Sequence, residues 1–181
     1  IDALRGSYIC VSNVHTTVMS YESEHYRTVQ NSAAMALPDG GPLSKYSRFA
    51  GFRNAERVTG PDLMVELFRI SAQKGYRHFF YGSTQETLDD MRTALRRDYP
   101  GIVVAGMYAP PFRPLTEEED QKIIALINDA RPDFIWVGLG APKQEEWMYD
   151  HRGALNAVSV GVGAGFDYLA GHIRRAPRIM Q

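Results

Sequence analysis

Four apolar residues in unbroken succession, Phe134-Ile135-Trp136-Val137, run directly into Gly138-Leu139-Gly140-Ala141-Pro142-Lys143-Gln144-Glu145. A strand exposed on one face alternates apolar and polar side chains, whereas one covered on both faces reads as a continuous run. The two glycines allow a tight turn and a close approach of backbone to a ligand. Pro142 suits the first turn of a helix, whose unpaired N–H groups and dipole favour an anion. This segment therefore predicts a strand-to-helix corner in a mostly parallel sheet. A corner whose glycines serve only packing would leave Lys143 and Gln144 without a purpose.

The rest of the chain repeats the alternation. Strand-like stretches lie at Tyr8–Val11, His78–Tyr81, Ile102–Met107 and Val158–Val162. Pro61-Asp62 opens a helical spacing through Leu63, Leu67 and Ile70, and Thr84 begins a polar helix that ends near Asp98 before Pro100-Gly101. Thr116-Glu117-Glu118-Glu119 has the spacing of a capping box, followed by Ile123, Ile124, Leu126 and Ile127 on one face. Such an order predicts an α/β fold, a doubly wound, mostly parallel Rossmann-like sheet flanked by helices, in a single domain spanning 1–181. In such sheets ligands bind beyond the carboxyl ends of the strands, so residues just after strands carry the candidates.

Four further segments stand at such places. Leu37-Pro38-Asp39-Gly40-Gly41-Pro42 holds a carboxylate in a stiff loop, as a general base requires, although Asp-Gly is equally a turn dipeptide. Arg57-Val58-Thr59-Gly60-Pro61-Asp62 offers a guanidinium fork for a diphosphate, with Thr59 or Asp62 also suited to cap the following helix. Tyr81-Gly82-Ser83-Thr84 fits an anion or a plain N-cap. Gly161-Val-Gly-Ala-Gly-Phe-Asp167 delivers a carboxylate that could meet sugar hydroxyls or pair with Arg174 or Arg175. Tyr108–Pro114 holds three of the ten prolines and reads as a connector or a lid. Trp147 could line a sugar pocket.

Several classes fall away. The net charge of −1 gives no global field for nucleic acid. The five histidines lack metal-ligand spacing, no Gly-x-Ser-x-Gly elbow occurs, and Cys10 sits in an apolar stretch where inert burial is usual. No Gly-x-Gly-x-x-Gly opens a helix after the first strand, which speaks against a dinucleotide enzyme. A single cysteine excludes an internal disulfide and suits a reducing compartment.

Pro38-Asp39-Gly40, Arg57 to Leu63, Val137 to Glu145, and Gly163-Ala164-Gly165-Phe166-Asp167 with Arg175-Ala176-Pro177-Arg178 together resemble the WecG/TagA/CpsF family of bacterial glycosyltransferases, in order and spacing through nearly the whole chain. The resemblance implies inverting, metal-independent transfer of a sugar from a UDP-sugar to a polyprenyl-diphosphate-linked saccharide, with no cofactor, in polysaccharide, capsule or teichoic-acid-like polymer synthesis. The donor it allows is N-acetylmannosamine, glucose or a related hexose. It implies Asp39 as the catalytic base, and Asn13, Arg57, Thr59, Gly82, Gly140, Lys143, Gln144 and Asp167 as substrate-binding positions. Val11 departs from a Thr that many members carry two residues before the Asn, and Ile179 stands where members often have Trp. Members continue into a basic amphipathic segment that meets the membrane. The resemblance thus places the full-length protein in the bacterial cytoplasm, peripheral on the inner face of the plasma membrane, with this chain lacking that segment. The cluster His172, Arg174, Arg175 and Arg178 fits attraction to an anionic bilayer. Self-association into a homo-oligomer is compatible with all of this. The competing reading is a non-catalytic module that binds a UDP-sugar or a lipid head group.

Overall fold

The computed structural model describes residues 1–173. Arg174, Arg175, the Arg175-Ala176-Pro177-Arg178 motif and Ile179 lie outside the described residues.

Six strands form one sheet. In chain order they are β1 (Tyr8–Ser12), β2 (Met35–Pro38), β3 (Arg77–Gly82), β4 (Val103–Tyr108), β5 (Phe134–Gly138) and β6 (Val158–Gly161). They stand in the order β2-β1-β6-β5-β3-β4, and every pairing is parallel. The expected doubly wound architecture is the one observed. The helices are α1 (Val14–Glu22), α2 (Glu24–Asn31), α3 (Gly41–Phe49), α4 (Gly60–Lys74), α5 (Gln85–Asp98), α6 (Glu117–Asp129), α7 (Lys143–Asp150) and α8 (Gly165–Ala170).

Alternation along each strand divides the core into two layers. Ile9, Phe80, Trp136 and Val160 meet Met64 and Phe68 of α4, Leu88, Met91 and Leu95 of α5 and Phe166 of α8. Tyr8, Cys10, Phe79, Tyr81, Ile135 and Val137 meet Ile123 and Ile127 of α6 and Met148 of α7. Each large apolar side chain fully buried in this way contributes roughly 1.5–3 kcal/mol relative to exposure. One polar pair sits inside the first layer: Trp136 Nε1 donates to His78 Nδ1 at 3.0 Å, and burial pushes the His78 imidazole down to about 4, so it remains a neutral acceptor at pH 7.

Local chemistry starts the helices where the sequence predicts. Thr84 and Thr116 accept from the backbone N–H groups of Thr87 and Glu119, and Glu119 returns the bond to the Thr116 N–H, completing the capping box. Residues Met35–Pro38 are a correction: the Pro-Asp-Gly segment was read as loop throughout, yet its first half is an edge strand paired to β1, with Ile9 opposite Met35 and Ser12 opposite Pro38. Pro38 is tolerated because it ends an edge strand.

Gly82 leaves β3 at φ +128°, and a Cβ there would stand 2.5 Å from the Gly138 carbonyl oxygen. Its absent side chain lets the ends of β3 and β5 close together, which opens the carboxyl edge of the sheet into two separate hollows on either side of Gly138-Leu139.

Candidate active site

One hollow, of about 590 Å³, opens beyond the carboxyl ends of β1, β5 and β6. It gathers Asn13, Asp39, Gly140, Gln144 and Asp167, five candidates separated by up to 154 residues, from Asn13 to Asp167. Asn13 follows β1, Asp39 follows β2, Gly140 and Gln144 follow β5, and Asp167 follows β6.

Asp39 is held by its backbone, whose N–H donates to the Ser12 carbonyl at 2.7 Å, extending the β1–β2 ladder by one bond beyond Pro38. Its side chain is half-buried. Burial raises its pKa above the ordinary carboxylate value, the Arg57 guanidinium opposes that rise, and Asp62 adds to it. A carboxylate held this way is a stronger base than a solvated one while remaining ionised near neutrality.

Asn13 caps α1. Its Oδ1 accepts from Thr16 N–H at 3.0 Å, and Thr16 Oγ1 accepts from the Asn13 N–H at 2.9 Å. With Oδ1 so engaged, the amide nitrogen is the part of Asn13 left to serve a ligand.

Gln144 is almost completely buried and stands between two elements. Its Oε1 accepts from the Gly163 N–H at 3.0 Å, while Nε2 donates to Glu145 Oε1 at 2.6 Å. The glutamine therefore ties the α7 corner to the glycine loop after β6 that delivers Asp167. Its main polar atoms are engaged with the protein, a structural duty beyond the sugar contact expected of it.

Glu145, absent from the expected set, also lines this hollow and is 1% exposed. Burial raises its pKa, and hydrogen bonding by Gln144 and then Tyr26 pulls the other way. Its Oε2 has no well-formed hydrogen bond among the described residues, so the Tyr26 hydroxyl acts on it as a nearby dipole. A buried glutamate was not legible in Lys-Gln-Glu, because a charged triplet at a helix start reads as solvent-facing.

The remaining expectations divide. Arg57 is exposed and reaches the site through its field on Asp39. Thr59 Oγ1 accepts from the Asp62 N–H at 3.2 Å and donates to Asp62 Oδ2 at 2.6 Å, so it caps α4. Gly60 and Pro61, the amino end of the 15-residue α4, line the hollow in its place. A Cβ on Gly60 would meet the Val162 carbonyl oxygen at 2.9 Å, which is why that helix end can press against the β6 loop. Gly82 acts through packing and does not line the hollow. Lys143 lines the other one. The amino end of α7 is a weaker anion seat than its sequence suggested, since Glu145 and Glu146 occupy its first turn and the Gln144 N–H already donates to Gly140 O at 2.9 Å. Asp167 lies 3.8 Å from His172 Nδ1, and His172 Nε2 is 2.9 Å from Asp90 Oδ2 on α5.

No group of three His, Cys, Asp or Glu residues is arranged to hold a metal ion among the described residues. Among the same residues no helix is long and apolar enough to cross a membrane.

The family model for the Glycosyl transferase WecG/TagA/CpsF family matches residues 1–181. The chain belongs to this family. Its class is therefore glycosyltransferase. Among curated relatives it is similar to an N-acetylglucosaminyldiphosphoundecaprenol N-acetyl-beta-D-mannosaminyltransferase of Bacillus spizizenii, 33% identical over 178 residues that cover 98% of this chain and 67% of the relative. A protein of the same name from Bacillus subtilis is 31% identical over 182 residues, 99% of this chain and 69% of the relative. One from Staphylococcus aureus is 31% identical over 167 residues, 91% of this chain and 64% of the relative. The chain spans about two thirds of the length of these family members.

Proposed function

We propose that the protein containing this chain transfers a sugar from a UDP-sugar to a saccharide carried on a polyprenyl diphosphate, with Asp39 as general base. The observation that carries the reading is Asp39 in one hollow with the amino end of α4, at the carboxyl edge of a parallel sheet, in a chain of this family. The names of the relatives favour N-acetylmannosamine as donor sugar and an N-acetylglucosaminyl diphosphate lipid as acceptor.

In the proposed step an acceptor hydroxyl oxygen attacks the anomeric carbon from the face opposite the diphosphate. The new C–O bond forms as the bond to the diphosphate oxygen breaks, with inversion. The hydroxyl proton passes to the Asp39 carboxylate and the electron pair leaves with UDP. Charge developing on the leaving diphosphate meets Arg57 and the positive end of the α4 dipole, a metal-independent arrangement. Asn13 and Asp167 are placed to orient sugar or nucleotide hydroxyls, and Gly140 lets the diphosphate approach the backbone.

Radiolabelled UDP-N-acetylmannosamine and a short-chain N-acetylglucosaminyl diphosphate prenol test this in the full-length protein. Asp39→Asn is expected to lower transfer by about 10²–10⁴-fold with UDP affinity retained. Wild-type transfer should survive chelation, and NMR of the product should show the inverted linkage. Undiminished turnover in Asp39→Asn removes the base from the mechanism. UDP binding without turnover in the full-length wild type favours the binding-module reading. Association with the inner face of the plasma membrane belongs to the same proposal, because the acceptor is a membrane lipid.

A further inference from the structure

The second hollow, about 980 Å³, opens on the other side of Gly138-Leu139, between α7, α6 and the proline-rich loop after β4. It shares that corner with the Asp39 hollow but none of its polar candidates. Trp147 and the Tyr108–Pro114 segment, unconnected in sequence, meet here. Trp147 stacks against Tyr81 and against His151, each at 4.4 Å between ring centroids and 27° between planes. Phe112, 88% exposed, stands on the loop at the mouth. The buried Trp147 indole N–H has no acceptor among the described residues, which leaves an unsatisfied donor in this wall.

The charge on the lining is lopsided. Glu117, Asp120, Glu146 and Asp150 present four carboxylates. Against them stand Lys143 and Arg113, and Arg113 is already clamped by Glu119 through bonds of 2.7 and 2.6 Å. His151 sits 2.8 Å from Asp120. A diphosphate would be repelled by this surround. A neutral pyranose is suited to it: its C–H face lies on aromatic rings while its hydroxyls donate to carboxylates that accept only.

We infer that this hollow is a binding site for an uncharged pyranose ring, separate from the place of the nucleotide diphosphate. Its ligand is the non-phosphorylated part of a sugar substrate, and only that source rests on the transfer reading. The Gly138-Leu139 corner, lining both hollows, would then separate a polyol compartment from an anion compartment.

Ligand-observed NMR with methyl N-acetyl-β-D-glucosaminide as probe tests the site. Saturable binding is expected in the wild type and in Asp39→Asn, and it should persist under saturating UDP. Trp147→Ala should weaken it about tenfold, the loss of one stacked ring. Asp150→Ala, an exposed rim change that spares the core, should weaken it less and guards against a folding artefact. Displacement by a prenyl diphosphate N-acetylglucosamine assigns the ring to the acceptor; displacement by a UDP-sugar but not by UDP assigns it to the donor. No saturable binding, displacement by uridine or UDP, or unchanged affinity in both variants overturns the inference. The Asp39 assay is untouched by any of those results, and its own failure leaves the glycoside titration standing.

Discussion

The two walls of the Asp39 hollow are built differently. On the β1–β2 side, Asn13 and Arg57 are exposed and Asp39 is half-buried, carried on the ends of an edge pair. On the β5–β6 side, Gln144 and Glu145 are buried and bonded to each other, and Gln144 reaches across to Gly163. The open wall holds groups whose protonation and charge respond to what enters. The closed wall is a frame whose polar atoms satisfy one another. Proton transfer needs the first arrangement, and fixed geometry needs the second.

The largest effect expected from this contrast is on the closed wall. Gln144→Ala strips the Gly163 N–H and Glu145 Oε1 of partners, each worth about 1–3 kcal/mol when left buried and unpaired. Melting should fall by roughly 2–4 °C per kcal/mol in a chain of this size, and transfer should fall with it. Asp39→Asn, on the open wall, should leave the melting temperature close to wild type. Equal destabilisation by both substitutions would break the comparison.

Arg57→Ala sharpens it on the catalytic side. Removing the cation that opposes the rise in the Asp39 pKa moves that pKa further up. Since the base works deprotonated, the acid limb of the kcat/KM profile should shift to higher pH. KM for the nucleotide sugar should rise about tenfold, as expected when one charge-assisted bond of about 1.5 kcal/mol is lost. An unmoved limb would separate Arg57 from Asp39.

The smallest effect is that of Glu145→Gln, which keeps an acceptor for Gln144 Nε2. The native carboxyl has a folded pKa above its unfolded value. Its stability contribution is therefore complete below the unfolded pKa and is lost as pH rises through the folded one. The variant does not titrate there, so its melting temperature should gain on wild type as pH rises above the ordinary glutamate range. Melting curves at several pH values read this directly, and a gap that closes with rising pH would contradict the buried-carboxylate account.

Legibility in the sequence followed burial and local chemistry. The run Phe134–Val137 announced a strand covered on both faces, and all four side chains are buried. Thr84 and Thr116 announced helix starts because a cap depends on residues three positions apart. β2 escaped because Met35 and Ala36 are exposed and its only neighbour is β1, so no apolar alternation marks it. Thr59, Gly82 and Lys143 were recognised as special, but their duties differ from direct contact in the Asp39 hollow: a cap, a close approach, and a place on the neighbouring hollow.

By itself the sequence determined the alternation of strands and helices, the helix starts and the corners after strands where ligands bind. These depend on side-chain period and on bonds a few residues long. Only the tertiary structure decided that Asn13, Asp39, Gln144 and Asp167 share a hollow, that Glu145 is buried, and that Trp147 and the proline-rich loop enclose a second one. Strand order sets those distances, and strand order is a property of how the two core layers pack around the whole sheet, which no local spacing encodes.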